Sequence, residues 1–168
     1  MKYRLLKTLL SLLILGFYNC VKSYPDEPEI SFLSGEVIKG QKDALGNDIY
    51  IYRVNIEFVD GDGGFEKNDN KPPFDKSSVY YHNLLIDYFI KKDGKFQEEK
   101  GDKKKRFYAR IHHVKGKHNT QIGTVIHDIV IPVTDFPLPA QIKFRIQLLD
   151  KNHNRSNIVE SPIISIGQ

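Results

Sequence analysis

Two stretches of the chain alternate apolar and polar residues one by one. In residues 52–58, Tyr52, Val54, Ile56 and Phe58 are separated by Arg53, Asn55 and Glu57, and in residues 141–148, Ile142, Phe144, Ile146 and Leu148 are separated by Gln141, Lys143, Arg145 and Gln147. Successive side chains of a strand point to opposite faces, so each stretch gains one apolar face, whereas a helix would scatter the same residues around its circumference. Further strands are expected at 29–38, 79–91, 107–114, 123–133 and 158–166, with 95–98 as a short return. Between them stand Leu45-Gly46-Asn47-Asp48, Lys92-Asp93-Gly94-Lys95 and Lys115-Gly116-Lys117-His118-Asn119. Their Gly, Asn and Asp residues tolerate the positive φ of hairpin turns. Seven to eight short strands at this spacing predict two antiparallel sheets packed face to face, with long loops at 66–78 and 98–106.

Residues 1–19 have a different character. Lys2, Arg4 and Lys7 precede an apolar run over 9–17 broken only by Ser11 and Gly16, and the run ends at Tyr18-Asn19-Cys20. The run is too short to span a bilayer, which needs about 20 apolar residues. This arrangement resembles a bacterial lipoprotein signal peptide, a helical leader cut before a cysteine that is then acylated; the matching residue is Cys20. Such signals usually place a small residue directly before the cysteine and Leu at the third position upstream, where this chain has Asn19 and Phe17. The resemblance implies a membrane partner through lipid on Cys20, and it accounts for a lone cysteine in an exported chain. Residues 20–29, with Pro25, Pro28, Asp26, Glu27 and Glu29, read as the lipidated cysteine and an extended tether. Residues 30–168 form one domain.

The leader also distorts the charge balance. The whole chain has 25 Lys and Arg against 21 Asp and Glu, but without the leader 149 residues remain at a formal +1. A near-neutral body lacks the basic surface that a row of phosphates requires, so nucleic acid is not an expected partner.

Two segments carry a second resemblance: residues 58–65, Phe-Val-Asp-Gly-Asp-Gly-Gly-Phe, and residues 150–157, Asp-Lys-Asn-His-Asn-Arg-Ser-Asn. The body resembles the immunoglobulin-like or fibronectin type III-like domains of uncharacterised Bacteroidetes-type lipoproteins. There the first motif usually runs Asp-Gly-Asp-Gly-Asp and the second is an Asp-x-x-Gly-Asn-x-Ser-Asn turn; here Gly64 replaces the third acid and His153 the glycine. The likeness implies an all-β antiparallel sandwich on the bacterial cell envelope, at the outer membrane, and supplies no reaction.

Asp60-Gly61-Asp62-Gly63-Gly64 invites a calcium reading, because hard cations take carboxylate and carbonyl oxygens from tight loops. An EF-hand loop does not fit: counted from Asp60, Phe65 stands where that loop needs Gly and Lys71 where it needs Glu. A different site remains, with Asp60 and Asp62 joined by Asp150, Asn152 or Asn154 if the two loops share one end of the sandwich. The competing reading is a sharp turn with solvated acids. Among the six histidines, His82, His112, His113, His118, His127 and His153, no fixed ligand spacing stands out, and neighbours on a strand cannot easily share an ion.

No Gly-x-Ser-x-Gly elbow or phosphate-cradling glycine loop occurs, and Glu98 and Glu99 stand among lysines that would lower their pKa values. The segment 91–106 holds Lys91, Lys92, Lys95, Lys100, Lys103, Lys104, Lys105 and Arg106 against four acids. It suits an acidic glycan or lipid headgroups, or else protects an exposed sheet edge. The outward members of Tyr80-Tyr81 and Tyr88-Phe89 are a candidate ligand patch. Together these readings give a lipid-anchored, non-catalytic binding or structural module, with no certain cofactor and an envelope protein or glycan as partner. The alternatives are a calcium-dependent adhesion or assembly subunit and a carbohydrate-active accessory enzyme.

Overall fold

The computed structural model describes residues 24–65, 75–98, 107–111, 120–135 and 140–167. The leader and Cys20 lie outside them, as do His112, His113 and His118, the turn at 115–119, and the cations at 100 and 103–106. Among the described residues no helix is long and apolar enough to cross a membrane. The fold is all-β, with eight strands among the described residues in two antiparallel sheets. They are β1 (Glu29–Lys42), β2 (Asp48–Asp60), β3 (Leu84–Lys92), β4 (Lys95–Glu98), β5 (Gln121–Pro132), β6 (Ala140–Leu148), β7 (Val159–Glu160) and β8 (Ile164–Ile166). One sheet has the order β1-β2-β5; the other runs β4-β3-β6-β7, with β8 also paired to β6.

The alternating stretches become interior strands, β2 and β6. In β2, Val54 and Ile56 are fully buried, as are Ile142, Phe144, Ile146 and Leu148 of β6, while the intervening polar residues face outward. The two inner faces meet in one core, where the Tyr52 ring stacks on Phe144 with centroids 5.5 Å apart. On the outer faces, Arg53 forks onto Asp128 at 2.7 and 2.8 Å, and Lys143 and Arg145 share Glu160. These exposed pairs add little stability but fix register. The outward ring of Phe89 is already covered, with the Arg145 guanidinium 4.4 Å from its centroid.

The β3–β4 hairpin closes through Asp93 (φ 49°) and Gly94 (φ 78°), both in the left-handed region that a two-residue turn of this hand requires. Elsewhere the sequence expectation is corrected. The strand expected from residue 79 begins at Leu84, so Tyr80 and Tyr81 sit in a turn before it. The strand expected over 107–114 is reduced, among the described residues, to a bridge between Ala109 and Leu84. The last strand is split, because Pro162 has no N–H to give a ladder. In the gap the Ser161 hydroxyl accepts the Phe144 N–H at 2.9 Å, and just before β7 Ser156 does the same for Leu148, also at 2.9 Å.

Phe144 is the largest fully buried side chain and touches both Tyr52 and Phe107. Phe144→Ala is expected to cost about 3–5 kcal/mol, the range for emptying a core aromatic site. Urea unfolding monitored by circular dichroism checks this.

Candidate metal centre

β2 and β6 run out at the same end of the sandwich, and each delivers an aspartate at or just beyond its last residue. Asp60 closes β2 with no exposed surface, and Asp150 lies just past β6 at 2% exposure. Asp62 lies two residues beyond Asp60 in a loop tightened by Gly63 and Gly64, both at positive φ. Carboxylate oxygens of Asp60, Asp62 and Asp150 all lie within 4.8 Å of one another. Among the described residues this is the one cluster of three or more acidic, histidine or cysteine side chains able to share an ion.

The three acids are held differently. Asp150 organises its own loop: its Oδ1 accepts the backbone N–H groups of Asn152 (2.7 Å) and Asn154 (2.8 Å), and its Oδ2 accepts the Asn154 side-chain amide at 2.8 Å. Asp60 accepts the Gly63 N–H through Oδ1 at 2.9 Å. Asp62 accepts the Asn152 side-chain amide through Oδ2. The remaining oxygens, Asp60 Oδ2 and Asp62 Oδ1, are buried and have no hydrogen-bond donor. A buried acceptor without a donor is costly, and two on neighbouring carboxylates are costlier.

Lys151 crosses from one loop to the other. Its ammonium donates to the carbonyls of Asp62, at 2.8 Å, and Gly63, and its backbone N–H donates to the Gly64 carbonyl at 2.9 Å. Three carboxylates and one ammonium leave a formal −2 at this end of the sandwich. Burial pushes the Asp60 carboxyl up to about 6, and the neighbouring Asp62 and Asp150 charges push the same way, against the Gly63 hydrogen bond.

Of the residues singled out from sequence, the fold thus brings Asp60, Asp62 and Asp150 together. It places Asn152 on Asp62, and it uses Asn154 to clamp Asp150. His153 takes a positive φ of 70°, and its ring stacks on Tyr80 at 3.8 Å. Tyr81 lies under the Arg110 guanidinium. His82 packs edge-on to Tyr81, and His127 lies on β5, half-buried, where burial lowers its pKa. Lys91, Lys92 and Lys95 lie on the β3–β4 hairpin, away from the cluster.

Two further residues matter here through partners that the sequence did not reveal. Asn83, 4% exposed, donates its amide to the carbonyls of Phe65 and Ile111 and accepts the Ile111 N–H, joining three loops behind the acids. Asn157 grips Ile30 from both sides, accepting its N–H at 2.7 Å and donating to its carbonyl at 2.8 Å. Beside β5, a groove of about 280 Å³ is lined by Phe58, Phe65, Arg110, Ile111, Val125 and His127.

No protein-family model and no curated protein matches this chain. Among solved structures, it is similar to the putative ApaA protein from Bordetella pertussis, at 10% sequence identity over 88% of this chain and 98% of that one, with a TM-score of 0.31. A likeness that distant carries no argument about this chain.

The raised Asp60 pKa makes metal-free stability depend on pH. A carboxyl held above its unfolded value stabilises the fold while protonated, so this contribution is full below about pH 4 and is lost as pH rises through about 6. The loss is on the order of 3 kcal/mol by linkage. His127 works the opposite way, since its lowered pKa adds stability as pH rises towards its unfolded value. Asp60→Asn isolates the first effect. In chelator, the wild-type chain is expected to lose stability relative to this variant between pH 4 and 7, measured by urea unfolding at each pH.

Proposed function

We propose that this chain is a lipid-anchored, non-catalytic binding or structural module of the bacterial cell envelope, whose loop end is ordered by a calcium-type cation held by Asp60, Asp62 and Asp150. The observation that carries the cation is the pair of buried carboxylate oxygens on two members of the cluster, Asp60 Oδ2 and Asp62 Oδ1, with no donor. A divalent cation satisfies both at once and matches the formal −2 of the site. Two oxygens bound to one calcium at 2.3–2.6 Å lie no more than about 5 Å apart, which the cluster meets. Lys151 keeps the Asp62 and Gly63 carbonyls for itself, so water completes the coordination shell.

The non-catalytic part of the reading rests on the same geometry. Asp60 and Asp150 are buried and tied to their own loops, where they brace backbone, an arrangement that supports a structural role. The envelope location rests on the likeness of residues 1–20 to a lipoprotein leader and of the two turn motifs to envelope sandwich domains.

A ligand that binds only the folded state raises its stability by mass action, about 2.7 kcal/mol at a hundred times Kd. For a domain of this size that corresponds to roughly 5–10 °C in the midpoint. Full-length protein melted in calcium at about a hundred times Kd and in chelator is expected to differ by that amount, and Asp62→Asn to remove the difference. An unchanged midpoint in calcium would show that the loop is only a turn. Metabolic labelling with palmitate checks the anchor, with Cys20→Ala expected to abolish incorporation.

A further inference from the structure

The loops that supply the three carboxylates also hold the chain where it arrives from its N-terminal side. Gly61, placed between the two acids of the first loop, donates its N–H to the Pro25 carbonyl at 2.9 Å. The approach is close enough that a Cβ on Gly61 would lie 2.4 Å from that oxygen and 2.5 Å from the Tyr24 carbonyl oxygen. Thr120 secures the other side of the same residue, its hydroxyl donating to the Gly61 carbonyl at 3.1 Å. On the second loop, Asn157 holds both backbone groups of Ile30, the second residue of β1. Pro28, between these two grips, is buried. The incoming segment is therefore fastened at two points, one on each acidic loop.

We infer that the cation site is a clasp for residues 24–30: occupancy by calcium draws the two loops together and fastens the incoming chain to the sandwich, and removal of calcium releases it. This rests on the cation reading above and adds to it a regulated element. With the site filled, Asp60, Asp62 and Asp150 are cross-linked through the metal, so the peptide at Gly61 and the turn leading to Asn157 are fixed relative to each other. With the site empty, buried like charges push the same loops apart. Release of residues 24–29 frees about 20 Å of extended chain. Calcium then sets how far the domain stands from whatever holds its N-terminal side.

The coupling is reciprocal, because a segment that docks better with calcium present must raise calcium affinity by the same factor. Hydrogen–deuterium exchange on the full-length protein gives the direct readout, with calcium alone as the probe and chelator as the reference. The amides of Gly61 and Ile30 are expected to exchange at least tenfold more slowly in calcium. Gly61→Ala, which has no room for the Tyr24-Pro25 backbone, and Asn157→Ala, which drops Ile30 and removes none of the three carboxylates, are each expected to weaken calcium binding about fivefold or more, by calorimetric titration. Circular dichroism verifies that both variants are folded. Should calcium raise the melting midpoint yet leave exchange at Gly61 and Ile30 unchanged, or should Asn157→Ala bind calcium like the wild type, the clasp is overturned and the cation site stands. A midpoint indifferent to calcium overturns both.

Discussion

The stacking of β2 on β6 across the core governs the rest of the molecule. Each is an interior strand of its sheet, each turns an unbroken apolar face inward, and Tyr52 against Phe144 fixes their relative position. Because both strands leave the core at the same end, the residues at their exits are forced together whatever their chemistry. Those residues are Asp60 at the end of β2 and Asp150 just past β6. Hydrophobic burial, which has no preference for carboxylates, thereby supplies the free energy that holds two buried acids and a third beside them at close range.

The neighbouring loops are built to bear this load. Asp150 is braced by its own loop through Asn152 and Asn154, with acceptor capacity left on Oδ2, and Lys151 spans the gap to hold the carbonyls of the facing loop. Asn83 ties a third segment in behind them, linking Phe65, Ile111 and Leu149 through its side chain and backbone. The loops are thus fixed by hydrogen bonds up to the point where two oxygens remain without donors. Were the segment only a sharp turn, nothing in its geometry would require those oxygens to be buried, since solvated acids serve a turn equally well.

How much of this was legible in the sequence depended on the kind of signal. The strands β2 and β6 were plain, because a residue period of two survives in any context where one face is buried. Tyr80 and Tyr81 misled, since aromatic residues favour strands as a class, yet here their rings pack on His153 and under Arg110 in a turn. The apolar run after Asn157 read as one strand because the hydroxyls of Ser156 and Ser161, which take over ladder positions, look in sequence like any loop serine. Asp60, Asp62 and Asp150 stood out through their glycine- and asparagine-rich settings, and their convergence emerged only from the strand pairing. Asn154 was a candidate ligand by residue type, whereas the fold employs it as a clamp. Nothing local marks Asn83 or Lys151, and the turn motif that contains Asn157 gives no hint of its partner; their roles consist of contacts tens of residues away.

The site poses a choice between two partners for the same pair of oxygens. A proton shared between Asp60 and Asp62 removes the repulsion, and the raised Asp60 pKa expresses that tendency; a divalent cation removes it without protonation. The two compete, so the cation is favoured as pH rises above about 6 and the proton below it. Three carboxylates opposed by one lysine form a weaker site than a full EF-hand, because affinity follows ligand charge and rigidity. On the proposed calcium reading, that charge count goes with sites of about 0.1–1 mM affinity. A site of that strength is filled and emptied by changes in the medium, which suits loops that also fasten the incoming chain.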